Sequence, residues 1–592
     1  MKGNITIHTQ NIFPIIKKWL YSDKDIFLRE LVSNGCDAVT KMKKVKDAGA
    51  AIPDDEEYEI HVVVDKPNKT ITVTDNGIGM TDSEIEKYIT QVAFSGAEEF
   101  LNKYQDKDPS NQIIGHFGLG FFSAFMVSGN VEIESLSFAE GAKPAHWSCD
   151  GGTEYEMGEG TRAFRGTDVI LHINDEDEEY LSISTIRGIL DKYCSFLPVP
   201  IFCYQAGEDK GTMVNEVLPL WMKAPSQCTD DEYKNFYKKV FNRFDEPLFW
   251  IHLNTDYPFN LKGILYFPVV EKNPTNLVGG PVKLYNNQVF VADNIREIIP
   301  EFLLMLKGVI DCPDMPLNVS RSFLQNDKTV TKISDHIVKK VADKLTELFK
   351  NEKETYEKYW EDINGFVKYG CMSDPKFYTK VGDCLIFKTT LERYVTLKEY
   401  LGEDKKEVYY ATSSDYQLQY LNMFSDQGIE VMLLPGLIDS TFVQFLEYKN
   451  EGIKFMSIDS VTPDSFKSQE EGADAEKVKA IFKKVLPEGA LLDAQVLKNK
   501  EIPAFVMSNE YERRMKMMSQ VMGGGMEFPE NKTLLINLGN SLVGSLVNME
   551  DEKAGIIAKQ IYDLARLADQ PLSALELNEF IKRSIESLSM LS

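Results

Sequence analysis

Residues 115–125 read GHFGLGFFSAF. Gly115, Gly118 and Gly120 stand immediately before an apolar run that continues to Val127. Glycines at this spacing let a chain come close to a ligand. A helix begun by the apolar run would offer backbone N–H groups and a positive dipole end to phosphate. No lysine follows the glycines, so the stretch is not the Gly-Lys-Ser/Thr phosphate loop, and no short strand-to-helix unit surrounds it, which sets aside a dinucleotide fingerprint. Glycines alone are weak evidence; two segments upstream add the weight.

The nearer is DNGIGM, 75–80, which follows the strand-like ITVT. Asp75 could accept a hydrogen bond from an exocyclic amine such as that of adenine, and Gly77 and Gly79 could let a flat ring lie against the chain. Asp/Asn-Gly pairs also mark ordinary hairpin turns, so this segment alone supports either reading. The farther is DIFLRELVSNGCDAV, 25–39, within an amphipathic helix expected over 20–44, with Ser22 and Asp25 resembling its capping box. Glu30 and Asn34 are four apart and share one face amid Phe27, Leu28, Leu31 and Val32. The pair suits a water that a carboxylate can deprotonate and a magnesium ion that an amide oxygen can hold. A solvated polar stripe would have the same spacing.

In this order the three segments resemble the ATP-binding domain shared by type II topoisomerases, 90-kDa chaperones, histidine kinases and mismatch-repair ATPases. The detail resembles the 90-kDa heat-shock protein family, in its bacterial form. YSDKDIFLRELVSNGCDAVTK (21–41) is similar to that family's first helix, VAFSGAEEF (92–100) to its lid segment, IIGHFGLGFFSAFMV (113–127) to its glycine loop and RGTDVILHI (165–173) to its adenine-binding strand. PLWMKAPSQCTDDEYKNFYK (219–238) resembles the start of the middle domain, and MPLNVSRSFLQND (315–327) the catalytic loop. The long charged linker and the acidic C-terminal peptide of eukaryotic members are missing; this chain ends SIESLSMLS.

The resemblance implies ATP and Mg2+ as cofactors and a role for each matched residue. Glu30 would be the general base and Asn34 the magnesium ligand. Asp75 would read the adenine amine, with Gly79, Met80 and Thr167 nearby. Gly118, Gly120 and Phe121 would meet the phosphates through backbone groups. Arg321 would reach the γ-phosphate from the middle domain, supported by Gln325, so that hydrolysis would wait for closure, as with an arginine finger. Two positions depart from the family: Phe94 stands where a lid lysine is usual, and Tyr88 where an asparagine is common. Both changes remove polar groups near the nucleotide, and neither touches the base or the metal ligand.

With 592 residues the chain is too long for one core. The implied architecture is α+β and multidomain. It has an N-terminal α/β sandwich ATP-binding domain (1–205), a short linker (206–218) around the polar break GEDKG, an α/β middle domain with the catalytic loop (219–467), and a mostly helical dimerisation domain (468–592) opened by SQEEGADA. Strands are expected over 59–64, 70–74, 131–137, 147–150, 168–173, 263–270 and 282–291, and a helix over 297–309. Lys+Arg 65 against Asp+Glu 91 makes the formal charge -26, which disfavours a nucleic-acid partner. None of the eight cysteines sits in a C-x-x-C pair, and no apolar stretch reaches about 18 residues, so neither a disulfide framework nor a membrane span is expected, and the reading is cytoplasmic.

NEYERRMKMMSQVMGGGMEF, 509–528, resembles the family's client-binding segment; Met515, Met518 and Met522 are its candidates, since methionine adapts to many apolar shapes. Helical spacing alone would make them core. Trp250 is a lesser client candidate for which a core position is the commoner reading. Amphipathic helices over 554–568 and 574–590 would form a homodimer across a two-fold axis. The expected partners are non-native client proteins, a second copy and co-chaperones, in a stress-response role. A nucleotide-gated client-binding module with little hydrolysis is the alternative. A histidine kinase would need a phosphoacceptor helix before the ATP domain, and a topoisomerase or mismatch-repair ATPase would show basic DNA-contacting stripes.

Overall fold

The structure, a computed structural model, describes residues 23–49, 57–91, 113–115, 118–152, 154–269, 281–293, 297–315, 317, 328–403, 405–413, 417–487, 489–521 and 531–589. The chain divides into two compact units, Met1–Val341 and Ala342–Ser592.

The first unit opens with helix α1, Ile26–Asp47, whose Phe27, Leu28, Leu31, Val32, Cys36 and Val39 are all buried. Strands β1 (Ile60–Asp65) and β2 (Thr70–Asp75) follow, alternating buried and half-buried residues as a sheet covered on one face requires. Helix α2 (Asp82–Tyr88) carries a reciprocal capping box between Thr81 and Glu84. Next come β3 (Ser128–Leu136), β4 (Ala145–Cys149), β5 (Glu156–Glu159), β6 (Gly166–Ile173), helix α3 (Ile183–Tyr193) and β7 (Ile201–Gln205). The seven strands form one sheet in the order β5-β4-β3-β6-β2-β1-β7. Only the β1–β7 pair is parallel. Residues of α1 and α3 share a core with Val62, Ile71, Val131 and Leu171 of the sheet, a helix layer on a sheet layer.

After helix α4 (Asp230–Phe241), five strands build a second sheet: β8 (Phe249–Thr255), β9 (Leu261–Phe267), β10 (Val282–Asn286), β11 (Val289–Asp293) and β12 (Lys307–Asp311), in the order β11-β10-β12-β9-β8. The core runs on from one sheet to the other, with Phe196 packed edge-on against Trp221 at 4.6 Å. The polar break GEDKG does not leave the first sheet cleanly. Val214 donates its N–H to the Ile201 carbonyl, and the Asn215 amide bonds Ile201, Leu197 and Val199.

In the second unit, helix α5 (Lys353–Ser373) precedes a small hairpin of β13 (Ile386–Lys388) and β14 (Tyr394–Thr396). A parallel three-stranded sheet follows, from β15 (Glu407–Ala411), β16 (Met432–Leu433) and β17 (Lys454–Ser457), with helix α6 (Asp439–Lys449) between the last two. The C-terminal part contains helix α7 (Ala475–Val485), strands β18 (Leu491–Gln495) and β19 (Ala504–Met507), helix α8 (Glu510–Val521), strand β20 (Thr533–Asn537) and helices α9 (Asp551–Asp569) and α10 (Ala574–Ser589). Its sheet, ordered β18-β20-β19, is not anticipated by a mostly helical reading.

Three local expectations change. Helix α1 starts at Ile26 rather than residue 20, and the Asp25 carboxylate makes no cap bond; it accepts the Tyr180 hydroxyl at 3.1 Å. Residues 282–291 are a hairpin rather than one strand, because Asn287 and Gln288 take positive φ of 50° and 64°. Residues 297–309 are not a helix. Pro300 precedes a single 3-10 turn, Glu301–Leu303, and 307–311 are drawn into the sheet between β9 and β10. Glycine makes that insertion fit: a Cβ at Gly263 would lie 2.3 Å from the Val309 carbonyl oxygen.

Candidate functional site

Three elements meet at the site: α1, the turn after β2, and the glycine stretch. On α1, Glu30 is 5 % exposed and its Oε1 accepts from Nε and Nη2 of Arg29, at 2.9 and 2.6 Å. Arg29 is itself buried, with its guanidinium over the Tyr193 ring. The other oxygen, Oε2, is turned toward the glycine stretch: a Cβ at Gly120 would lie 2.6 Å from it. The absence of a side chain at residue 120 therefore lets the carboxylate stand against the loop backbone. Asn34, one turn on, is exposed, and its amide oxygen lies 3.7 Å from where a Gly115 Cβ would sit. Both helix residues thus face the same loop.

Asp37, one further turn along α1, ties that loop down. Its two carboxylate oxygens accept the N–H groups of Ile114 and Gly115, each at 2.7 Å. Gly118 has a φ of +61°, a left-handed conformation that suits glycine. The helix begun by the apolar run is a 3-10 helix, Gly120–Met126. Its Phe121 ring is core, edge-on to Phe125 and Trp147, so only the Phe121 backbone is available to a ligand.

The β2 turn holds Asp75, 7 % exposed. Its Oδ1 accepts the Gly77 N–H at 2.8 Å, which leaves Oδ2 for a ligand donor. Burial pushes the carboxyl up to about 7; the Gly77 N–H and then Arg162 hold it lower than burial alone would, Asp168 opposes them, and Arg165 helps. Directly across the ladder is Thr167, whose hydroxyl lies 2.9 Å from Ser135 Oγ. Ser135 in turn accepts the Met80 N–H at 2.9 Å, so Asp75, Met80, Ser135 and Thr167 form one polar patch. The turn glycines are needed for the protein's own packing. A Cβ at Gly77 would strike the Ala38 carbonyl carbon at 2.5 Å, and one at Gly79, where φ is +64°, the Leu136 carbonyl oxygen at 1.9 Å.

The structure therefore brings together Glu30, Asn34, Gly118, Gly120 and Phe121 at the loop, and Asp75, Gly79, Met80 and Thr167 at the turn. Arg321 and Gln325 lie outside the described residues, as do Phe94 and Met522. Tyr88 is half-buried at the end of α2, with Lys87 over its ring. Met515 is half-buried on α8; Met518 is on the same helix, with its side chain outside the described part. Trp250 is half-buried and stacked on Tyr233 at 4.9 Å. Reasoning from sequence missed Arg29, Asp37, Ser135, Arg162 and Arg165. Asp37 carried a signal, since it follows Asn34 by three positions on the same helix.

Comparison with known proteins gives the family. Residues 205–583 match the family model described as "Hsp90 protein", and residues 23–149 the one described as "Histidine kinase-, DNA gyrase B-, and HSP90-like ATPase". The chain is 43% identical over 584 residues to the "Chaperone protein htpG" of Bacteroides fragilis, covering 93% of this chain and 85% of that one. It is 43% identical over 583 residues to "Chaperone protein HtpG" of Porphyromonas gingivalis, with the same coverage. Against the protein of that name from Idiomarina loihiensis it is 31% identical over 595 residues, covering 93% of each.

Proposed function

This chain belongs to the Hsp90 family of ATP-hydrolysing chaperones, and on that footing we propose how its residues divide the work. Glu30 is the general base that orients and deprotonates the attacking water. Asp75 reads the adenine amine, beside Gly79, Met80 and Thr167. The backbone of Gly118, Gly120 and Phe121 meets the phosphates, and Arg321, with Gln325, contacts the γ-phosphate. The carrying observation is the contact that glycine permits at residue 120, which sets Glu30 Oε2 against the phosphate-facing loop. A binder with little hydrolysis is set aside by the ATPase family match over residues 23–149.

Mg2+ fits Asn34. Among the described residues no group of three or more His, Cys, Asp or Glu could hold a metal, whereas a single exposed amide oxygen suits an ion whose other ligands are phosphate and water. When bound, the ion would neutralise phosphate charge. The long-range field of a chain with net charge -26 opposes nucleotide binding, so local donors must outweigh it.

Asp75 carries a direct test. With Oδ1 occupied by the Gly77 N–H, a proton would sit on Oδ2, and the adenine amine would then meet a donor. Burial sets that protonation near pH 7, so the ionised acceptor dominates above about 7 and is lost below it. ADP affinity should fall as pH drops through this range. Asp75→Asn should weaken binding by about 1–3 kcal/mol at pH 8. Calorimetry showing wild-type affinity in the mutant would refute the role.

We assign the client surface to the segment around α8, with Met515, Met518 and Met522, and the domain limits to 1–205, 206–218, 219–467 and 468–592. The dimer is assigned to α9 and α10. Helix α10 has no buried residue, yet Leu575, Ile581, Ile585 and Leu588 are all exposed along it, and α9 exposes Leu564 and Leu567. An apolar face of this kind is suited to a second copy. Removing residues after 545 should give a monomer with reduced turnover; sedimentation of the truncated protein as a dimer would rule the assignment out. Co-chaperones and a cytoplasmic setting complete the proposal. No helix among the described residues is long and apolar enough to cross a membrane.

A further inference from the structure

The turn that carries Asp75 presents three consecutive carbonyls to two arginines. Arg162 Nη2 donates to the Asp75 carbonyl at 2.8 Å; Arg165 donates from Nη2 to the Asn76 carbonyl and from Nε to the Gly77 carbonyl, each at 2.8 Å. Both arginines come from the strand-entry segment RAFRG, and they reach the turn because β6 pairs with β2, Thr167 opposite Asp75. Arg162 is itself held by the Phe164 carbonyl at 3.0 Å and by an ion pair with Asp168, which also accepts the Thr74 hydroxyl. Arg165 lies over the Tyr58 ring. Gly166 makes the approach fit: its φ is +122°, and a Cβ there would lie 2.0 Å from the Asp75 carbonyl oxygen and 2.7 Å from Arg162 Nη2. Three consecutive carbonyls of the turn are thus held by arginine side chains.

We propose that Arg162 and Arg165 are positioning residues for adenine recognition, clamping the carbonyls of Asp75, Asn76 and Gly77 so that the Asp75 carboxylate is held in place for the base. This rests on the assignment of Asp75 as the adenine reader. A planar fork suits Arg165, which bridges two neighbouring carbonyls in a fixed geometry; a lysine offers a point charge on a flexible stem, without that pre-set direction. The clamp is also electrostatic. Among the described residues, the charged and titratable groups acting on Asp75 include Arg162, Arg165, Asp168 and the Cys36 thiol, and burial keeps that thiol neutral. Removing Arg162 takes away a positive charge and leaves Asp168 unpaired by it, and both changes disfavour ionised Asp75.

The test uses the full chain with ADP and with adenosine, which has no phosphate to titrate, measured by calorimetry from pH 6 to 9 (roughly the range over which a carboxyl near 7 titrates). Arg165→Gln should weaken both ligands by the same factor, about tenfold, as for loss of charge-assisted hydrogen bonds. Arg165→Lys should recover part of that loss. Arg162→Gln should also move the pH below which affinity falls upward from its wild-type position. Wild-type affinity in both glutamine variants, with affinity lost in Asp75→Asn, would overturn the clamp and leave the adenine assignment standing. Wild-type affinity in Asp75→Asn would instead overturn the assignment beneath it. Equal loss at every pH, with no recovery by lysine, would make the arginines packing groups and overturn the positioning role.

Discussion

Glu30→Ala is expected to bind ATP and to hydrolyse it about 100-fold or more slowly than the wild type. The side chain sits where a base is needed, beside the loop and against Gly120, and the Arg29 fork fixes its Oε1 so that Oε2 faces the loop. Binding should survive because, in the proposed division of roles, the base faces water while backbone groups meet the phosphates. Glu30→Gln keeps the shape and can still accept from Arg29, but it cannot take a proton, so it should be nearly as slow. Single-turnover hydrolysis at saturating ATP measures the chemical step directly. A mutant that turns over at the wild-type rate while binding normally would remove Glu30 from the reaction.

Arg321→Ala should leave ADP affinity almost unchanged and lower steady-state turnover by a large factor. Arginine fingers elsewhere contribute about 10³–10⁵, and the lower end is expected here. The proposed partner of Arg321 is the γ-phosphate, which ADP lacks, so on that proposal the split between ADP affinity and turnover is the signature. Arg321→Lys should restore only part of the rate, because a point charge cannot reproduce the planar fork. The fragment 1–205, which lacks this residue, should bind ATP and hydrolyse it poorly. Wild-type turnover in Arg321→Ala would show that hydrolysis does not wait on the middle domain.

The candidate site was legible where a residue type is chemically demanding. A carboxylate and an amide four apart on an apolar helix, and glycines before an apolar run, are informative without coordinates, and Glu30 does stand against Gly120. The reason for the glycines was less legible. Gly77 and Gly79 looked like room for a ring, yet their missing side chains accommodate Ala38 and Leu136 of the protein itself. Backbone packing and ligand approach make the same demand on a sequence, and only the neighbours separate them. Of the residues missed, Arg162 and Arg165 act on main-chain carbonyl groups. Nothing in a partner's side chain announces such a bond.

Residue identity at short spacing along α1, the β2 turn and the glycine loop was enough to identify the family and the α+β class. Tertiary structure decided what local pattern could not. Residues 307–311 have apolar neighbours that suit a helix as well as a strand, and they became β12 because β9 and β10 left a place between them that Gly263 and Gly308 allow the chain to enter. The strand pairing of β2 with β6 likewise put Arg162 and Arg165 behind Asp75, some 90 positions away in the chain, where burial and charge together set the carboxyl near 7. Desolvation and hydrogen bonding are properties of what surrounds a group in space, so they exist only once the sheet has formed.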